Sequence, residues 1–190
     1  SPNFYKYLSN VQDGLAVFSN NKLFGYMTPT GTVLIPEKFK SAQPFRNGMA
    51  AAKMDDAKGW GFVDKKGQWV IQPQFPLVAE DYKSNLIKVG QASSKQGDFE
   101  VEWGLIDRQG KVVLDRMYQI IELPSENGVM LVKRNELYGY VNSLGQTITE
   151  CLYKSASSHS KEGLARVEKD GKWGFVNSKG AIVIPITFDA

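Results

Sequence analysis

The stretch EGLARVEKDGKWGFVNSKGAIVIPITF, residues 162–188, decides how the whole chain is read. It contains three short runs, GLARVEK (163–169), KWGFVN (172–177) and AIVIPI (181–186). Each is rich in β-branched or aromatic residues and is bounded by Gly, Asn, Asp or Pro, the pattern of strands separated by turns. Helical spacing never persists long enough to compete. Between the second and third runs, Asn177-Ser178-Lys179-Gly180 puts a self-capping residue first and glycine fourth, where positive φ is wanted. Between the first and second, Asp170-Gly171 is a two-residue hairpin signal. The stretch therefore predicts a three-stranded antiparallel meander.

The same unit recurs upstream. FGYMTPTG, WGFVDKKG, WGLIDRQG, YGYVNSLG and WGFVNSKG each set an aromatic before one glycine and a second glycine six residues later. The first glycines are Gly25, Gly61, Gly104, Gly139 and Gly174, spaced by 36, 43, 35 and 35 residues. A further aromatic lies eight residues past each second glycine, at Phe39, Phe75, Tyr118, Tyr153 and Phe188. A polar-Gly-apolar signature precedes four units, at Gly14, Gly48, Gly128 and Gly163, and NLIKV around Leu86 replaces it in the third.

Such a period marks units that cannot bury an apolar face alone and must stack on their neighbours. The expected fold is all-β: tandem antiparallel three-stranded modules packed as a β repeat array, either an open solenoid or a closed propeller-like arrangement. Residues 1–190 then form a single repeat domain of about five modules. The long third period is absorbed by an inserted polar loop at 91–100, QASSKQGDFE, read as an exposed connection.

Alternation along the middle strand sends Trp173 and Phe175 to one face and Gly174 and Val176 to the other. Apolar groups on both faces imply burial on both, and the glycine, having no Cβ, lets a neighbouring strand or ring approach closely. Asp64, Asp107, Asn142 and Asn177 are read as turn formers rather than ligands. The recurrent aromatics Phe24, Trp60, Trp103, Tyr138 and Trp173 have two readings: an internal ladder that joins modules, or a platform that stacks on sugar rings or on a peptide.

Little else carries chemistry. The 23 basic and 20 acidic residues are intermixed, for a net charge of +3, so no nucleic-acid partner is expected. No apolar run approaches the roughly 18 to 20 residues of a membrane-crossing helix, so no transmembrane segment is expected in this chain. The single Cys151 cannot form an intrachain disulfide and reads as a small structural residue, while the single His159 reads as a solvated loop residue. The carboxylate pairs Asp55-Asp56 and Glu80-Asp81 read as solvated loop charge. There is no CxxC, HExxH, glycine-rich phosphate loop or calcium loop. No catalytic residue, metal ligand or cofactor is assigned, and an enzyme is not expected.

WGFVDKKGQWVIQPQF (60–75), WGLIDRQGKVV (103–113) and the opening stretch closely resemble the bacterial WG-repeat family, also called KWG repeats. The resemblance runs from about Gly14 to Phe188, with Phe24 and Tyr138 in place of tryptophan in the first and fourth units. It implies tandem β-rich repeats of surface or exported proteins and no defined catalytic residues. The expected function is a noncatalytic module mediating protein–protein binding or scaffolding, in an envelope or secreted protein, with the cytoplasm left open. The alternative is binding of carbohydrate or cell-wall polymer through exposed aromatics; a hydrolase is the least favoured reading.

Overall fold

The computed structural model describes residues 5–79, 85–93 and 101–189, and every regular element among them is a strand. The first sheet comprises β1 (Tyr7–Leu8), β2 (Ala16–Ser19), β3 (Phe24–Met27) and β4 (Val33–Phe39) in that spatial order. The second comprises β5 (Ser41–Ala42), β6 (Met49–Lys53), β7 (Trp60–Asp64) and β8 (Trp69–Phe75). The third comprises β9 (Leu77–Val78), β10 (Ile87–Ala92), β11 (Val101–Ile106) and β12 (Val112–Tyr118). The fourth holds β13 (Ile120–Ile121), β14 (Val129–Arg134), β15 (Leu137–Asn142) and β16 (Thr147–Tyr153). The fifth holds β17 (Ser155–Ala156), β18 (Leu164–Lys169), β19 (Lys172–Asn177) and β20 (Ile182–Phe188).

The fold is thus all-β and tandem, as the repeat requires, but each sheet has four strands rather than three. The added strand has two residues, and in the second to fifth sheets it begins two residues after the recurrent aromatic that ends the preceding sheet. It pairs antiparallel with the next strand, as in Ser41↔Lys53 and Ala42↔Ala52. Two residues carry no periodicity, so sequence reasoning leaves them in a connection. The polar-Gly signatures close this extra pairing. Asp13-Gly14 and Asn47-Gly48 all have positive φ and link the bridges Gln12↔Leu15 and Arg46↔Met49 as two-residue hairpins.

The turns between the last two strands follow the expected chemistry. Asp64 Oδ1 accepts hydrogen bonds from the Lys66 and Gln68 amides, both at 2.9 Å. Asp107, Asn142 and Asn177 repeat the pattern. The glycine ending each turn meets a second demand in the later repeats. A Cβ on Gly180 would stand 2.9 Å from the Ile148 carbonyl of the fourth sheet, and one on Gly145 would collide with the Val113 carbonyl of the third.

The glycine after each recurrent aromatic is required by contact rather than by φ. A Cβ would lie 2.5 Å from the Ile35 carbonyl oxygen at Gly25, 2.6 Å from that of Ile71 at Gly61 and 2.7 Å from that of Glu150 at Gly139. The cause is a register shift in the last strand: Trp60 pairs with Phe75 but Phe62 with Ile71, so the extra residues of β8 bulge against Gly61.

The chain divides into two compact units, Ser1–Gln91 with Ile106–Lys111, and Ala92–Leu105 with Val112–Ala190. In the first, Tyr26, Ile35 and Phe39 of the first sheet pack against Ala50, Ala52 and Val63 of the second. The opposite face of the second sheet sends Ala51, Phe62, Ile71 and Phe75 against Ile87, Val89 and Ile106. Adjacent residues Phe62 and Val63 therefore feed two different cores. In the second unit Leu131, Tyr140 and Tyr153 pack against Ala165, Val167 and Val176. Ile184 and Phe188 of β20 are 37% and 57% exposed, whereas their second-sheet counterparts Ile71 and Phe75 are 4% and 5% exposed.

Adding a methyl at Gly61 or Gly139 is expected to lower the unfolding free energy by about 1–3 kcal/mol, because the bulged backbone must move. Gly14 has a φ of +81° but nothing within 4 Å of an added Cβ, so Gly14→Asn meets only the left-handed backbone strain and is expected to cost less, about 1 kcal/mol or under. Urea titration of the three variants checks both outcomes.

Candidate functional site

The recurrent aromatics lie in the first half of the third strand of each sheet, opening it at Phe24 and Trp60, and each is half-buried. Phe24 pairs across the sheet with Phe39, Trp60 with Phe75, Tyr138 with Tyr153 and Trp173 with Phe188. In these four sheets the two recurrent aromatics are thus cross-strand partners. Cations lie over Trp60, Tyr138 and Trp173: Lys53 Nζ is 5.4 Å from the Trp60 centroid, Lys133 Nζ 5.6 Å from Tyr138, and the Arg166 guanidinium 4.3 Å from Trp173. Lys133 reaches Tyr138 because the two are directly opposite in β14 and β15. These rings have one flank in the sheet and the other under a charged group.

The cations are themselves held. Lys53 bonds Asp56 at 2.7 Å, and Lys133 bonds Glu136 at 2.5 Å, in both cases three residues along the chain. Asp56 also pairs with Lys40, and the two lysines, Lys40 foremost, hold its carboxyl down at about 2. Asp55 accepts the Lys58 amide at 2.8 Å. The Asp55-Asp56 pair is therefore an exposed but fully engaged turn, while Glu80 and Asp81 lie outside the described residues. So do residues 94–100 of the inserted loop.

Trp103 has a distinct setting. With Val101, Gln119, Ile120 and Lys133 it lines a hollow of about 210 Å³ within the second unit. The structure thus sets one member of the aromatic series beside open volume.

His159 is not a solvated loop residue: it is 7% exposed. Its ring meets Tyr140 edge-on at 4.7 Å and 69°, the same distance and angle at which Phe45 meets Tyr26. The Tyr140 hydroxyl donates to the Ser157 carbonyl as the Tyr26 hydroxyl donates to that of Gln43. His159 therefore fills a phenylalanine position. The correspondence escapes the sequence because Phe45 precedes its glycine by three residues and His159 precedes Gly163 by four. Neither imidazole nitrogen has a hydrogen-bond partner within bonding geometry among the described residues. Burial pushes the His159 pKa down, and the backbone of Asn177 offsets only part of that.

Cys151 is half-buried at the bulge of β16, where Pro73 stands in β8, and burial pushes its thiol pKa up. No hydrogen bond joins Cys151 to His159 among the described residues. Nor do three or more His, Cys, Asp or Glu side chains gather there in a group that could hold a metal ion. No helix among those residues is long and apolar enough to cross a membrane.

The family model for the WG containing repeat matches residues 24–56, 60–91, 103–138, 138–173 and 173–190. This chain belongs to the WG-repeat family. Its matched segments begin at the five recurrent aromatics, Phe24, Trp60, Trp103, Tyr138 and Trp173. No curated protein matches the chain. Among solved structures, Hsv2 of Kluyvelomyces marxianus is 14% identical with a TM-score of 0.39, over 94% of this chain and 64% of that one. A streptogramin B lyase is 16% identical with a TM-score of 0.40, over 96% and 68%. Regucalcin of Agrobacterium tumefaciens is 12% identical with a TM-score of 0.38, over 97% and 74%. The WG-repeat chain thus spans less than two thirds of Hsv2, and these distant likenesses carry no inference about function.

A histidine kept neutral in the fold but free to protonate when unfolded makes stability fall as pH drops. The loss begins near the unfolded pKa of 6.5 and is complete below the lower folded pKa. His159→Phe is expected to abolish this dependence and to raise the melting temperature more at pH 5 than at pH 8, measured by thermal unfolding in matched buffers.

Proposed function

We propose that this WG-repeat chain is a noncatalytic interaction module that presents the outer strands of its sheets to a protein partner. The supporting observation is the recurrence of exposed apolar side chains at the heads of four of the five outer strands, β16 opening instead on Thr147. Strands β4, β8, β12, β16 and β20 each lie at an edge of their sheet. Val33 and Leu34, Val70, Val112, and Ile182 and Val183 are exposed there at 44% or more. An edge strand offers unpaired N–H and C=O groups to an extended segment, and alternate side chains supply the selectivity. Pro36, Pro73 and Pro185 remove a donor from the far half of three of these strands, which leaves the heads as the competent stretches.

The reading takes residues 1–190 as one repeat domain in an exported or envelope protein. A single urea transition seen alike by fluorescence and circular dichroism is the expected outcome for the one domain, and cell fractionation tests the location.

A second reading, carbohydrate or cell-wall polymer binding by Phe24, Trp60, Trp103, Tyr138 and Trp173, draws support from the hollow beside Trp103 and from rings that retain partial exposure. Panning a random-peptide library and probing a glycan array with the same chain separates the two. Peptide binding that is lost in Leu34→Glu/Val70→Glu and retained in Trp103→Ala is the expected result. Glycan binding lost in Trp103→Ala would transfer the assignment to the rings, and neither kind of binding would refute both.

A further inference from the structure

In the second repeat, the first residue of the last strand covers an aromatic of the repeat before it. Trp69, at the head of β8, meets Phe39 at 5.9 Å and 77°, and packs on the core that holds Phe39. Thr147 holds the same place in β16: Val63 pairs with Trp69 and Val141 with Thr147, while Phe62 pairs with Ile71 and Tyr140 with Thr149. Tyr118 ends β12 as Phe39 ends β4. A threonine thus stands where the second repeat has an indole. At that place in the second unit is a hollow of about 220 Å³, bounded by Tyr118, Thr147, Thr149 and Cys151, with Arg134 and Glu150 among its lining.

Size and polarity set this hollow apart from a simple packing vacancy. A dry cavity of roughly 150 Å³ already accepts benzene, so the larger volume here suits a fused two-ring system. The Thr149 hydroxyl is buried and has no hydrogen-bond partner among the described residues, a cost that a bound polar group would relieve. Arg134 and Glu150 are exposed and form no ion pair among the described residues, so both signs of charge are offered at one opening.

We propose that the hollow binds a free aromatic α-amino acid with a two-ring side chain. The indole occupies the volume that Trp69 fills in the second repeat, Arg134 receives the carboxylate and Glu150 the ammonium. The hollow includes the head of β16 at Thr147 but neither Leu34 nor Val70, whose substitution tests peptide binding, so either assignment can fail without the other.

Cys151 is the sole cysteine of the chain, so its alkylation reports on this hollow alone. L-tryptophan is expected to bind one molecule per chain by calorimetry and to slow alkylation of Cys151 several-fold. Indole-3-propionate and tryptamine, each lacking one of the two charges, are expected to bind several-fold more weakly. Thr147→Trp fills the volume from within and is expected to raise the melting temperature while abolishing both binding and protection. Should that variant not fold, Arg134→Gln and Thr149→Val are each expected to weaken tryptophan binding several-fold in a folded chain. No binding and no protection by millimolar L-tryptophan in the unmodified protein would overturn the proposal. So would protection that survives in Thr147→Trp, or equal affinity for the three ligands.

Discussion

The structure depends on the absence of a side chain at the glycine after each recurrent aromatic. The last strand of each sheet bulges so that a carbonyl oxygen, from Ile35, Ile71, Leu114, Glu150 or Ile184, stands 2.5–2.7 Å from where that Cβ would be. The bulge gives the last strand residues in excess of its partner and increases local twist. It also allows the pairing to resume with Phe24 opposite Phe39 and Trp60 opposite Phe75. The aromatic pair and the bare backbone beside it are therefore one device, which explains why aromatic and glycine recur together.

Stacking follows from alternation in strands that are apolar on both sides. Phe62 and Val63 enter separate cores, so the second sheet is welded to the first through Val63, Ala50 and Ala52 and to strands of the third through Phe62, Ile71 and Phe75. Burying one large apolar side chain contributes roughly 1.5–3 kcal/mol. A four-stranded unit of some 35 residues could not assemble enough such contacts on one face, and two-sided burial supplies the remainder. Small residues on the receiving side, Ala50, Ala52 and Ala165, leave room for the large rings of the sheet before, such as Tyr26 and Tyr140.

Positions that vary between repeats are where specific properties arise. Histidine at the position of Phe45 sets a buried imidazole against Tyr140 and makes that junction sensitive to protonation. Threonine at the position of Trp69 opens volume beside Tyr118. In each case the backbone of the repeat is retained and one side chain changes what the junction can do, which is the latitude that near-identical modules offer.

By itself the sequence determined the strands, the turns and the requirement for stacking. The turn chemistry of Asp64, Asp107, Asn142 and Asn177 acts within four residues, and the alternation around Trp-Gly acts within one strand, so both are local and legible. Resemblance to WG repeats likewise rested on those local motifs. The two-residue strand at the start of each sheet needed the tertiary structure, because pairs such as Ser41↔Lys53 join residues with no shared pattern. So did the placement of His159, hidden by one extra residue in a loop, and the hollow below Thr147, which exists only because Tyr118 arrives from a neighbouring repeat. The spacing of Thr147 and Trp69 from their glycines was visible all along. What a small side chain there leaves uncovered was not, since a cavity belongs to the junction between repeats and to no single stretch of chain.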